Sequence, residues 1–167
     1  MERYLDGQEI REEEIEKCLR EGVWARKIAP VFCGAATRSI GIQPLLDNIV
    51  KYLPPPTYKA EVEGEDPRNG NKVTRKMSSS EPFSAYIFKT ITDPFAGKLT
   101  LFKVYSGELH PDMTVLNVSN DEKERIGQIF WLVGKKQKPA GFASAGDIAV
   151  VAKLKAAGTG DRRGAGT

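Results

Sequence analysis

The sequence predicts a mainly β fold, a small six-stranded β-barrel that follows a shorter α/β segment. Two apolar runs rich in β-branched and aromatic residues, 83–91 and 99–104, are separated by the sequence DPFAG at 93–97. Because proline cannot donate to a strand ladder and Gly97 can adopt positive φ, this spacing indicates a β-hairpin with a longer loop. A further turn signal at 106–107 gives the close spacing of strands and turns that is typical of a small barrel or sandwich.

The composition narrows the class of protein. With 40% hydrophobic and 28% charged residues among 167, the chain is expected to form one domain or two small ones. No apolar run approaches the roughly 20 residues that span a bilayer, and the N-terminus lacks the apolar segment of a signal peptide. Because Cys18 and Cys33 lie in apolar sequence and His110 is the only histidine, we expect two buried free thiols in a reducing cytosol and no Cys/His metal site.

The N-terminal third is expected to be an α/β segment. Apolar residues at helical spacing predict an amphipathic helix over 12–21 that ends at Gly22. The continuous apolar run 28–33 predicts a strand buried on both faces. A second amphipathic helix is expected to begin at Pro44 and to stop at the triple proline 54–56. Such a segment is too short to close its own sheet, so we expect partner sequence upstream of it.

These patterns divide the chain into four parts. Residues 1–56 are the α/β segment, and 57–80 lack periodicity and carry turn-rich polar sequence, which predicts a linker. The barrel is assigned to 81–161, and 162–167 are expected to be a disordered tail or one added to the natural sequence. Trp131 is expected to pack against the barrel. The predicted barrel core comprises Phe83, Ile87, Leu99, Leu101, Val104, Val115, Ile126, Ile129, Ile148 and Val150.

Several stretches resemble a known family. The run FKTITDPFAGKLTLFKVYSG at 88–107 resembles the start of the second domain of bacterial elongation factor G. The stretch APVFCGAA at 29–36 is similar to the end of that factor's GTPase domain, and 145–149 and 159–161 resemble later barrel strands in the same order. The resemblance implies a barrel of the translation-factor second-domain type, preceded by the tail of a GTPase domain at 1–56.

The resemblance also implies a function. The parent would be a cytoplasmic, ribosome-associated translational GTPase that drives translocation in protein synthesis. The barrel would dock on small-subunit ribosomal RNA and relay to the GTPase switch, with the parent's missing domains as further partners and with neither a membrane nor a small-molecule substrate. The sequence contains neither a Gly-rich loop ending in Lys and Ser/Thr nor an Asn-Lys-x-Asp loop. We therefore expect no cofactor and no enzymatic activity in this fragment, while the parent binds GTP or GDP with Mg²⁺.

One nucleotide-related loop remains, at Ala35, Ala36 and Thr37. In the family this loop usually has Ser-Ala-Leu or Ser-Ala-Lys, and a backbone N–H at its alanine contacts the guanine oxygen. Ala36 matches that alanine, whereas Ala35 departs from the serine. The contact uses the backbone, so the resemblance makes these three residues guanine-loop candidates. Without the resemblance, the stretch is an ordinary turn between a strand and a helix.

The candidate RNA-binding residues are Lys135, Lys136 and Lys138, the densest basic run. Residues 81–167 carry 12 Lys and Arg against 9 Asp and Glu, an excess that permits a nucleic-acid surface. Lysines so placed can neutralise phosphates. This loop differs from the usual sequence of the family, so the assignment rests on charge, and the alternative is a solvated loop between strands.

Other interpretations remain open. The barrel could be a stand-alone RNA- or protein-binding domain unrelated to GTP. The parent could also be another translational GTPase, such as a ribosomal protection factor or a release factor. An enzyme of the oxidoreductase type, in which similar barrels adjoin cofactor domains, has the least support because the sequence has no dinucleotide loop.

Overall fold

A computed structural model describes residues 2–66, 69–94 and 96–165. The chain divides into two units, Met1–Pro55 and Pro56–Thr167. Because the second unit begins at Pro56, the predicted linker 57–80 belongs to the same unit as the barrel strands.

The first unit is helical. It contains α1 (Glu2–Leu5), α2 (Glu12–Trp24) and α3 (Ile42–Tyr52), with a 3-10 turn at Ala36–Arg38. Both long helices were predicted, but α2 continues through Gly22 instead of ending there. A Cβ at Gly22 would lie 2.5 Å from Cδ1 of Ile28. The glycine therefore provides room for a close side-chain contact and does not cap the helix.

Two polar contacts join α2 to α3. Trp24 Nε1 donates a hydrogen bond to the Tyr52 carbonyl at 3.0 Å, and Lys51 Nζ donates to the Glu16 carboxylate. The hydrogen bond to Glu16 raises the pKa of Lys51 above its ordinary value. The ammonium is charged at neutral pH, so this contact persists there and weakens when the pH rises through the raised pKa of Lys51.

The predicted strand at 28–33 is wrong. These residues form a loop, and Val31 is 88% exposed. A strand buried on both faces needs neighbouring strands, and the described residues of the first unit include none. The prediction of two buried thiols is also wrong. Cys18 and Cys33 are free, but both are exposed.

The predicted linker contains a β-hairpin. Strands β1 (Glu61–Glu65) and β2 (Lys72–Lys76) pair antiparallel, with Glu61 opposite Lys76 and Glu65 opposite Lys72. Opposite charges on facing positions stabilise such pairs. The stretch lacks apolar alternation, which explains why its pattern indicated a linker. Residues 67 and 68, between the strands, lie outside the described residues.

Among the described residues, the main sheet of the second unit has eight antiparallel strands. Their order is β7-β6-β12-β3-β4-β11-β8-β9, and the short strands β5 and β10 pair with each other. The mainly β fold is confirmed, although this sheet has more strands than the six predicted. The strands are β3 (Ser84–Asp93), β4 (Gly97–Ser106), β5 (Glu108–Leu109), β6 (Thr114–Asn117), β7 (Glu122–Arg125), β8 (Ile129–Val133), β9 (Lys136–Ala140), β10 (Ala143–Ser144), β11 (Ile148–Ala152) and β12 (Arg162–Ala165).

The expected tail at 162–167 differs most from the prediction. Its described residues form β12, which lies between β3 and β6 and pairs Arg162 with Tyr86 and Arg163 with Asn117. The sequence Arg-Arg-Gly-Ala has no strand pattern of its own. It becomes a strand because two long-range partners offer hydrogen-bonding edges on both sides. Residues 166 and 167 lie outside the described residues.

The buried core mostly matches the prediction. Leu101 is only half-buried, and Ile148 is 55% exposed because it pairs with Lys103 on the outer face. Trp131 packs against the core, as predicted. Buried residues that the prediction missed include Phe102, Leu109, Ala149, Val151 and Leu154.

The β3–β4 hairpin has the predicted conformation. Gly97 has a φ of +75°, and Asp93 Oδ1 accepts a hydrogen bond from the Ala96 N–H at 2.8 Å within the connecting loop. Phe95 lies outside the described residues. The local turn signal thus predicted the hairpin that lies at the centre of the sheet.

Candidate functional site

The guanine-loop candidates lie together in a tight loop of the first unit. Ala35 and Ile40 exchange backbone hydrogen bonds of 3.0 and 3.2 Å, and a 3-10 turn over Ala36–Arg38 lies between them. At its base, a Cβ on Gly41 would lie 2.9 Å from the Cys33 carbonyl oxygen, and Gly41 has a φ of +75°. The glycine therefore allows the two sides of the loop to approach each other closely.

Two backbone donors in this loop are open. The first N–H groups of a helical turn have no partner within the turn, and the N–H groups of Ala36 and Thr37 form no hydrogen bond with any described residue. Both residues are exposed. The loop thus presents two adjacent N–H donors to any acceptor that approaches from solvent.

The candidate RNA-binding lysines lie on the β8–β9 hairpin, which we call the lysine hairpin (residues 129–140). Gly134 and Lys135 form its two-residue turn, and Gly134 has a φ of +61°. Glycine at the first turn position is favoured in type II′ hairpins. Lys136 and Lys138 lie on β9, so the predicted loop is partly strand.

All three lysine side chains of the hairpin are exposed. Lys136 faces Val133 and Lys138 faces Trp131 across the ladder, so both project to the same face. Within the described part of the chain, none of the three forms an ion pair. Because β9 is the edge strand of the sheet, the lysines also discourage pairing with another chain.

An open cleft of about 450 Å³ lies beside the lysine hairpin. Phe130 and Gln137 line it, and Gln137 lies between Lys136 and Lys138 on β9. Arg125 and Lys153 lie at its wall. None of the described lining residues is acidic, but Arg125 pairs with Asp112 at 2.9 Å, so part of the positive charge of this surface is neutralised.

A buried polar network, which no local motif indicated, holds the loop between β11 and β12. Asn117 is fully buried, and its Nδ2 donates to Asp161 Oδ2 at 2.8 Å and to the Ala156 carbonyl at 3.1 Å. The Gly158 N–H donates to the same Asp161 oxygen at 2.8 Å. These bonds fix the segment that leads into β12.

A cluster of polar side chains surrounds Glu108. Glu108 lies between His110, at 3.3 Å from Nε2, and Ser144, whose Oγ donates to the carboxylate at 3.5 Å. The serine therefore contacts the carboxylate and not the imidazole, which is unlike a nucleophile with its base. Among the described residues, no set of three or more His, Cys, Asp or Glu side chains is placed to hold a metal ion. In the same part of the chain, every helix is too short or too polar to cross a bilayer.

Known proteins resemble the chain at two levels. Residues 82–163 match the family model described as elongation factor G domain 2. A crystal structure of a protein from Thermus thermophilus is similar over 99% of this chain, with 28% sequence identity and a TM-score of 0.65. The chain spans 22% of the length of that protein. The family match extends over the main sheet, and the structural match includes both units.

Proposed function

We propose that the chain is part of a cytoplasmic, ribosome-associated translational GTPase that drives translocation, because residues 82–163 match the model of elongation factor G domain 2. The family match carries this proposal. Under this proposal, the second unit docks on small-subunit ribosomal RNA and relays this contact to the GTPase switch. The parent's other domains are its further partners.

The first unit is proposed to be the tail of the GTPase domain. The structural similarity to the much longer Thermus protein covers it as well. Neither α2 nor α3 contains a buried residue. On α3 the apolar side chains of Leu46, Ile49 and Val50 are therefore exposed. Apolar helix faces of this kind normally pack within a larger domain.

The residues of the guanine loop fit one part of a nucleotide site. The open N–H groups of Ala36 and Thr37 can donate to a guanine carbonyl oxygen, and a backbone donor does not need the serine that Ala35 replaces. The sequence supplies no phosphate cradle. GTP or GDP with Mg²⁺ is therefore proposed to bind the parent, with this chain contributing only a base contact.

The first prediction is that the chain alone neither binds nor hydrolyses GTP measurably. One or two backbone donors cannot replace the amides and the lysine that hold the phosphates. Isothermal titration calorimetry with GTP and with GDP, each with Mg²⁺, should show no saturable heat at millimolar nucleotide. Saturable binding tighter than millimolar would contradict the proposed division of the nucleotide site.

The second prediction tests docking on RNA. Lysines that contact phosphates release counterions, so binding of the chain to isolated small ribosomal subunits should weaken with salt. We expect a dissociation constant of about 10⁻⁴ to 10⁻⁶ M at physiological salt. Changing Lys135, Lys136 and Lys138 to alanine should reduce the slope of log affinity against log salt by up to about 0.9 for each phosphate that is no longer neutralised.

The matched control uses lysines in and beside the β1–β2 hairpin. Lys59, Lys72 and Lys76 are also exposed and lie in the same unit, so changing them to alanine removes the same charge. This control should leave the slope close to that of the unmodified chain. Sedimentation at several salt concentrations measures both variants. Absence of binding at low salt would refute docking, and equal slopes in the two variants would refute the role of the lysine hairpin.

A further inference from the structure

The outer face of the main sheet carries an aromatic and basic row that crosses four adjacent strands. Arg162 on β12 pairs with Tyr86 on β3, Tyr86 pairs with Lys103 on β4, and Lys103 pairs with Ile148 on β11. Directly paired residues share a face of the sheet. Tyr86 is 36% exposed and Ile148 is exposed, which places the row on the solvent side.

A β-bulge adds two more residues to this face. The register between β3 and β4 shifts between Ile87 and Lys89, so Phe88 has no partner and Lys89 faces Leu101. Both Phe88 and Lys89 are exposed, with Phe88 at 38%. Without the bulge, neighbouring residues would point to opposite faces. The bulge thus places an aromatic ring and an ammonium side by side, next to Tyr86.

The patch is positively charged. We call Tyr86, Phe88, Lys89, Lys103 and Arg162 the aromatic–basic patch. None of its three cations forms an ion pair with a carboxylate in the described part of the chain, and Lys103 Nζ lies 5.6 Å from the centre of the Tyr105 ring. By contrast, Arg125 elsewhere in this unit pairs with Asp112 at 2.9 Å.

Solvent-facing positions of an antiparallel sheet are normally polar. Tyr86 and Phe88 depart from that pattern, since their rings remain partly exposed on the outer face. Exposed rings that alternate with unpaired cations match the two components of single-stranded nucleic acid, because bases stack on aromatic faces while phosphates attract the cations. An acidic peptide would neutralise the cations but would leave the ring faces uncovered.

We propose that the aromatic–basic patch binds single-stranded RNA, with bases stacked on Tyr86 and Phe88 and phosphates held by Lys89, Lys103 and Arg162. This inference deepens the RNA-docking role proposed above and assigns base contacts to a surface separate from the lysine hairpin. Tyr86 and Phe88 are two residues apart on β3, and each residue rises about 3.3 Å along a strand, so the backbone spacing of the two rings is one that neighbouring nucleotides can bridge.

The test uses the full chain and a fluorescein-labelled decauridine, with fluorescence anisotropy as the readout. Changing Tyr86 and Phe88 together to leucine keeps apolar bulk but removes the rings. The dissociation constant should rise by about 10-fold or more, because each stacked base contributes appreciably to binding. Phe142→Leu is the matched control, since Phe142 is 50% exposed outside the patch and its replacement should change the constant less than 2-fold, a margin on the order of the variation between ordinary surface changes.

Charge changes test the phosphate contacts separately. Changing Lys89 and Lys103 to glutamine should lower the salt slope for decauridine by about 0.7 per contact. The same change at Lys72 and Lys76, which face Glu65 and Glu61, should leave the slope unchanged. Thermal melts of all variants verify that each remains folded.

The outcomes separate this inference from the proposed function. Equal weakening of decauridine binding in the ring variant and in Phe142→Leu, or no binding at low salt, would overturn the patch while leaving small-subunit docking to its own test. Binding to decauridine without binding to small subunits would support the patch and refute the ribosomal role. Tighter binding of polyglutamate than of decauridine, with the same sensitivity to the ring variant, would overturn RNA in favour of an acidic protein.

Discussion

Replacing Gly107 with alanine is expected to destabilise the second unit by about 3–5 kcal/mol, as the sum of backbone strain and steric overlap. Gly107 has a φ of +70°, and a Cβ there would lie 2.6 Å from the Glu81 carbonyl oxygen and from the N and Cα atoms of Phe83. These are backbone atoms, so no side-chain rotation relieves the overlap. Phe83 is also buried in the core, so any movement disturbs packing. The free energy of unfolding in urea measures the destabilisation.

Gly97→Ala is the matched control for this prediction. Gly97 has nearly the same φ, +75°, but a Cβ there would meet no atom within 4 Å. The substitution should therefore cost only the left-handed backbone conformation, about 1–2 kcal/mol. Equal destabilisation at the two glycines would show that the contacts around Gly107 relax freely. A gain in stability at Gly97 would contradict its positive φ.

The comparison of these two glycines shows which parts of the fold local sequence can predict. The DPFAG loop predicted the β3–β4 hairpin and the conformation of Gly97, because the loop chemistry and both apolar strands are adjacent in the sequence. The close approach at Gly107 involves Phe83, more than twenty positions away. A turn pattern spans only a few residues, so it cannot predict a contact between Gly107 and Phe83. The contact is visible only in the folded structure.

Elements defined by distant partners were missed for the same reason. The tetrapeptide of β12 becomes a strand through its pairing with β3 and β6, and β1 and β2 become strands by pairing with each other, with opposite charges facing at both ends of the ladder. The apolar run 28–33 shows the reverse case. Its pattern predicted a strand, but the described residues of its unit include no strand with which it could pair. Strand identity depends on partners as well as on propensity.

The candidate sites also differ in whether their residues are adjacent in the sequence or only in the fold. The loop at Ala35, Ala36 and Thr37 was predicted as one unit because its residues are consecutive. The charge of the lysine hairpin was also predicted, although the strand position of Lys136 and Lys138 was not. The aromatic–basic patch was not predicted, because Arg162 and Tyr86 become neighbours only through the strand register and Phe88 shares their face only through the bulge.

The second large effect is expected for Asn117→Leu. The substitution keeps the number and branching of the side-chain heavy atoms but removes the donor to Asp161 Oδ2 and to the Ala156 carbonyl, and it removes the acceptor for the Ser119 N–H. Asp161 Oδ2 keeps the Gly158 N–H as a donor, but losing the two hydrogen bonds that the buried Asn117 side chain donates, one of them to a charged acceptor, costs about 3 kcal/mol. The free energy of unfolding in urea measures this cost, and hydrogen exchange at the Gly158 N–H reports whether the loop into β12 opens.

Asn120→Leu is the matched control. Asn120 Nδ2 donates to the same Ala156 carbonyl, at 3.3 Å, but the residue is exposed and water can replace it. Its replacement should cost less than about 1 kcal/mol. If burial of Asn117 is what makes the network strong, the two variants should differ by about 2 kcal/mol, and only Asn117→Leu should speed exchange at Gly158. Similar costs for both would mean that water reaches the Asp161 carboxylate, and the network would then not be what fixes β12 between β3 and β6.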